Sequence, residues 1–169
     1  MKIFIIGSLR KFEETKQKLQ PWSDKLKSYG HEVTNPFDTL TGEKEWRESR
    51  GQCIKLLLEC NTVFILNDWK DSSFGRLLFY IAANLNFYIF AEREIYLLYQ
   101  FGTDPGNQPP IRKTNANVLL PLLNAKIKSC RDSIYISEAL NDTKRTTNAT
   151  EELYNYELLH DILCQKYDR

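Results

Sequence analysis

Short apolar runs alternate with stretches of helical periodicity, and this alternation constrains the chain more than any other feature. Residues 2–6 read KIFII, a run rich in β-branched side chains closed by Gly7-Ser8. That is the signature of a buried strand ending in a tight turn. Similar runs recur at residues 31–34, at 62–66 (TVFIL) and at 87–91 (FYIFA). Between the first two, Leu19, Trp22, Leu26 and Tyr29 stand at helical spacing, and Gly30 suits the position just past a helix end. Pro21 interrupts that pattern, so the helix is expected either to kink or to begin there. A second helical pattern, over 45–59, places Trp46, Cys53, Ile54, Leu57 and Leu58 near one face. A third, over 74–84, is apolar almost all round. Strands alternating with helices imply an α/β sandwich of three layers. Its sheet is mainly parallel, with four or five strands.

The character changes beyond Phe101. Residues 102–110 (GTDPGNQPP) form a Gly/Pro stretch and the best boundary in the chain. We therefore expect an α/β core over 1–101 and a mostly helical extension over 102–169, packed on the core as a single domain. A helical pattern covers part of 116–140, and residues 141–148 read as a polar loop. A last helix is expected from Asn148, with Glu151 three residues on as in a capping box. Leu153, Tyr156, Leu159, Ile162 and Leu163 would give it one apolar side.

Composition excludes some functions. The chain has 169 residues, with 23 basic and 22 acidic side chains and a net charge of +1. That balance argues against a basic nucleic-acid binder. Cys53, Cys60, Cys130 and Cys164 form no C-x-x-C, and the two histidines, His31 and His160, lie far apart. No metal and no cofactor is expected. The longest apolar run, residues 77–83, falls far short of the roughly 20 residues that span a bilayer. Met1 leads directly into a strand pattern, so no signal peptide is expected. These features suggest a cytoplasmic protein with free thiols, no membrane partner and no use for the N-x-T triplets at Asn141 and Asn148.

Ligands of an open parallel sheet bind at the carboxyl ends of its strands. Three loops reach that edge: Gly7-Ser8-Leu9-Arg10, Asn35-Pro36-Phe37-Asp38, and the stretch from Asn67 to Gly75. The first offers backbone N–H groups, a hydroxyl and a guanidinium. The third offers Ser72, Ser73 and the N–H groups of a helix start near Gly75, which attract anions. Together they make a phosphate cradle, and Trp69 suits stacking on a base. Asn35 joins the candidate ligand contacts from the second loop. Each residue also has a plainer reading: Gly7 as a turn, Ser73 as a helix cap, Arg10 as a solvated side chain, and Cys53 and Cys60 as buried structural thiols.

The segments KIFIIGSLR, GHEVTNPFD, Trp46, LLLECNTVFILNDW and SSFGRLLFYIAANL, in that order, resemble the nucleoside 2-deoxyribosyltransferase-like superfamily. They are most similar to its small bacterial and phage members. The GSLR loop also resembles that of 2′-deoxynucleoside 5′-phosphate N-hydrolases. The resemblance covers about residues 1–91. It implies a flavodoxin- or Rossmann-like fold and a site for a nucleoside or nucleotide. In active relatives a glutamate nucleophile follows a pattern like S-x-G-x-x-x-E, and a second acidic residue lies seven positions after the tryptophan. Here those slots hold Phe79 and Cys53, and the aspartate before the third strand is Asn61. Neither replacement offers a carboxylate to attack an anomeric carbon. The nearest carboxylates are Asp38, Glu59, Asp68 and Asp71, of which Asp71 is the weak candidate for a displaced catalytic group. The resemblance thus implies a nucleotide- or nucleoside-binding protein that keeps Gly7, Ser8, Leu9, Arg10, Ser73 and Gly75 and has lost its catalysis. An active N-glycosidase or deoxyribosyltransferase is the alternative. A non-enzymatic dimer built on the helix around Phe79 and Tyr80 is the second. Homodimerisation is expected in either case.

Overall fold

The computed structural model describes residues 1–8, 12–38, 46–103 and 116–167. The expected loop at 39–44, the site residues Leu9 and Arg10, and most of the Gly/Pro stretch lie outside them. The chain divides into two compact units, Met1–Thr114 and Asn115–Arg169.

The first unit is a parallel α/β domain. Strands β1 (Lys2–Ile6), β2 (Glu32–Thr34), β3 (Thr62–Ile65) and β4 (Tyr88–Ala91) form one sheet in the order β2-β1-β3-β4. Every pairing is parallel, with Ile3 opposite Val33, Phe4 opposite Val63, and Val63 opposite Ile89. The central strands are covered on both faces, so their apolar residues do not alternate with polar ones. Ile3, Phe4, Ile5, Ile6, Val63 and Phe64 are fully buried.

Helix α1 (Phe12–Ser28) runs through Pro21 rather than starting at it. A proline here costs the helix one hydrogen bond. Leu19 and Leu26, fully buried on either side of it, anchor the flanking turns. Trp22 reaches Phe64 of β3, with ring centroids 5.3 Å apart. Gly30, at φ +84°, closes the helix in the left-handed conformation that glycine tolerates best. Helices α2 (Trp46–Leu57) and α3 (Ser73–Asn84) pack together. Helix α4 (Ile95–Thr103) follows β4 and returns towards β2: Tyr99 meets Tyr29 edge-on, and the His31 ring bonds the Leu98 carbonyl at 2.6 Å. The α/β sandwich expected from the alternation is present, and its parallel sheet is flavodoxin-like.

The second unit pairs α5 (Ala116–Ala139) with α6 (Thr143–Tyr167). Most of the polar stretch 141–148 is helix, not loop, and α6 starts five residues before Asn148. The reason is its cap. The Asp142 carboxylate accepts the Arg145 N–H at 3.0 Å. Asn141, at φ +55°, turns the chain between the helices. Ser137 and Thr146 then share a hydrogen bond of 2.9 Å across the pair, and Arg131 meets Glu157 at 2.7 Å. Among the described residues, no helix is long and apolar enough to cross a membrane.

Candidate functional site

The carboxyl edge of the sheet is shaped by two glycines. A Cβ on Gly75 would stand 2.4 Å from the Trp69 carbonyl oxygen and 2.9 Å from that of Gly7. No larger residue fits between those backbone atoms. The loop after β1 and the start of α3 therefore touch at Gly7 and Gly75, as a shared site requires. The cap of α3 is Ser72 and not Ser73: its Oγ accepts the Gly75 N–H at 2.9 Å. Ser73 is the first helical residue and is half-buried.

A short 3-10 turn, Trp69–Asp71, carries the aromatic residue of this loop. The Trp69 ring stacks on Phe79, with centroids 4.1 Å apart and planes 29° from parallel. Phe79 thus serves as an aromatic partner, and the stacking expected of Trp69 is made with a neighbouring side chain. Lys70 places its ammonium 5.4 Å from the Trp69 ring. Asp71 is exposed at the end of the turn. Cys53 is 1% exposed, and burial pushes its thiol up to about 12. It stays a neutral thiol and cannot serve as a nucleophile near neutral pH. Cys60, also buried, is raised in the same direction by the same cause, against a weaker opposing contact with Thr34.

Asn35 is 1% exposed, and both its polar groups are engaged. Its Oδ1 accepts the Phe37 N–H at 3.1 Å, and its Nδ2 donates to Gln20 Oε1 at 3.4 Å. That is a turn-forming asparagine tied to α1. Gly7, Ser8, Trp69, Ser73, Gly75 and Phe79 gather around the loops after β1 and β3, whereas Asn35 has its contacts elsewhere.

Sequence reasoning passed over Lys18, Thr15, Glu92 and Arg50, and named Asp68 only as one of several nearby carboxylates. Asp68 lies against the β1 loop: its Oδ1 accepts the Ser8 N–H at 3.3 Å and its Oδ2 meets the ammonium of Lys18 from α1. Thr15 fixes the same loop by donating to the Ser8 carbonyl at 3.1 Å. One strand over, Glu92 receives both the backbone N–H of Asn67, at 3.2 Å, and the Asn67 side-chain amide. Arg50 of α2 is 7% exposed, with its guanidinium 5.5 Å from the Phe74 ring at the start of α3. Asp68 stood among the nearby carboxylates, but nothing local distinguished it from Asp71. Lys18 and Arg50 sit in ordinary helical positions that carry no sequence signal. Among the described residues, no three His, Cys, Asp or Glu side chains cluster as a metal site.

The architecture and this edge define the class: a flavodoxin-like α/β protein whose β1 and β3 loops converge on one another. Within that class, the chain belongs to the family described as Domain of unknown function (DUF4406), which matches residues 1–91. The match ends where β4 ends, so the family corresponds to the sheet and the helices between its strands. No curated protein and no solved structure matches the chain.

Proposed function

We propose that this protein binds a nucleoside or nucleotide at the carboxyl edge of its sheet and does not cleave it. The observation that carries the reading is the contact of Gly75 with the Gly7 carbonyl, which joins the β1 and β3 loops into one edge. Parallel sheets bind their ligands at such an edge. The resemblance to deoxyribosyltransferase-like proteins supplies the ligand class. Phe79 packed on Trp69, and Cys53 buried as a neutral thiol, support loss of the glycosidase step. Thermal-shift and calorimetric titration with the four common 2′-deoxynucleosides and their 5′-monophosphates test it. At least one should raise the melting temperature, and Arg10→Ala and Ser73→Ala should weaken that effect. A panel without any shift would sink the reading. Chromatography should find no free base after long incubation; release abolished by Asp71→Asn would instead establish the enzyme alternative.

Homodimerisation is part of the same proposal. Phe74, Leu77, Leu78, Ile81 and Ala82 of α3 are buried within the chain itself. Phe79 and Tyr80 are half-buried and Ala83 is exposed, and these are the apolar side chains of α3 that a partner copy could cover. Light scattering on the eluted protein should give twice the chain mass, falling to one with Tyr80→Glu.

A further inference from the structure

The turn that joins α5 to α6 holds an open cavity of about 340 Å³, lined by Ser137, Glu138, Asn141, Thr143, Thr146 and Thr147. It lies wholly within the second unit and outside residues 1–91, the stretch matched by the family. At its floor Ser137 is fully buried, with its Oγ 2.9 Å from Oγ1 of Thr146. Three of the lining hydroxyls spend their protons on the helices themselves. Ser137 donates to the Ser133 carbonyl at 2.8 Å, and Thr147 donates to that of Thr143 at 2.8 Å. Thr146 donates to Ser137 Oγ or to the Asp142 carbonyl, each at 2.9 Å. A hydroxyl has one proton and two lone pairs, so these three turn only acceptors towards a ligand. Asn141 carries a carbonyl oxygen beside its amide, and the Thr143 hydroxyl can accept as well as donate. Glu138 adds a carboxylate at the rim, exposed and without an ion pair among the described residues.

We propose that this cavity binds a small organic cation through its primary ammonium group, with Glu138 as the counter-ion. The inference stands apart from the nucleoside reading, which concerns the other unit. An alkylammonium carries three donors and no acceptor, which matches a wall of acceptors beside one negative charge. The carbonyl end of a helix dipole is negative, so the end of α5 favours a cation as well. An anion is disfavoured. The start of α6, where its N–H groups would hold one, is already capped by the Asp142 carboxylate on the Arg145 N–H at 3.0 Å, and Glu138 would repel it. A hard metal ion draws on several carboxylates, and no three His, Cys, Asp or Glu side chains cluster among the described residues. The basic residues next in sequence, Lys144 and Arg145, stand about 100° and 200° round the helix from Thr143, so the chain does not supply the cation itself. The volume is near the lower end of the roughly 300–1,000 Å³ of small-molecule sites, which suits a short diamine and not a nucleotide.

The test follows the backbone amide resonances of the full chain during titration with 1,4-diaminobutane at low ionic strength. The amides of Glu138, Asn141 and Thr147 should shift together and saturate, with a Kd near or below about 1 mM. 1,4-Butanediol, of the same length but uncharged, should leave them in place at the same concentrations. Glu138→Gln keeps the size and removes the charge, and should weaken diamine binding about tenfold. Thr147→Val removes one acceptor and should weaken it about threefold. The amide of Nα-acetyl-lysine, titrated alike, separates the two sources of such a group. Tighter binding of the diamine supports a free amine as the ligand, and tighter binding of the lysine supports a protein-borne ammonium at the same site. Shifts that never saturate, an equal response to butanediol, or an unchanged affinity in folded Glu138→Gln would each overturn the proposal. So would magnesium chloride that moves the same amides as strongly, since that is a general effect of charge. Should Glu138→Gln fail to fold, Thr147→Val decides, and an unchanged affinity there overturns the proposal.

Discussion

Gly75 shows how much one residue can decide. The Trp69 and Gly7 carbonyl oxygens that a Cβ would meet at 2.4 and 2.9 Å are backbone atoms, which cannot swing aside as a side chain would. Gly75→Ala is expected to cost about 1–3 kcal/mol by overpacking, read from urea unfolding, and to abolish any ligand-induced thermal shift. The cysteines make a second prediction at this scale. Cys53, Cys60 and Cys130 are buried, and burial pushes all three thiols up. Cys164 is half-exposed. A thiol reagent at pH 8 should modify one cysteine of the native protein, Cys164, and all four only after denaturation. Mass spectrometry of the labelled peptides checks this. That positions 79 and 53 carry no carboxylate needed no structure to be seen. What their side chains do there did: Phe79 stacks on Trp69, and Cys53 is a fully covered thiol.

Among the elements, the strands were legible and one helix start was not. The central strands β1 and β3 are short β-branched or aromatic runs buried on both faces, a pattern legible without tertiary context. The start of α6 is different. Its first turns, Thr143 to Thr150, have no apolar period, and exposed polar residues read as loop. The helix forms there because Asp142 caps it and because Thr146 bonds Ser137 of α5. The threonine hydroxyls of Thr147 and Thr150 bond back to carbonyls one turn earlier, so they do not compete with the helix. Asp142→Ala should therefore cost about 1 kcal/mol and reduce helical circular dichroism before the sheet melts. Ser72→Ala removes the corresponding cap of α3 and should cost about 1 kcal/mol, read from urea unfolding. Because that cap bonds Gly75, ligand binding should fall with it.

Within the α/β unit, His31 couples the sheet to α4, the helix that follows β4. The ring lies at the start of β2, and its Nε2 donates to the Leu98 carbonyl of α4 at 2.6 Å. Burial holds its pKa below the ordinary histidine value, against the opposing pull of that hydrogen bond. A histidine lowered on folding takes up its proton more readily in the unfolded chain. Its share of stability is thus complete above the unfolded value of about 6.5 and is lost as the pH falls through it. Unfolding free energies from pH 8 to 5 should drop more steeply for the wild type than for His31→Gln, which keeps a side-chain donor without the titration. By itself the sequence determined the sheet and the succession of helices around it, because periodicity and residue identity are local properties. Only the tertiary structure decided that Asp68 covers Ser8, 60 residues away, while holding Lys18, 50 residues away, and that Glu92 takes the Asn67 amide. Those partners meet because the strand order β2-β1-β3-β4 sets β1 beside β3 and β3 beside β4. No local pattern encodes which carboxylate comes to rest over which N–H.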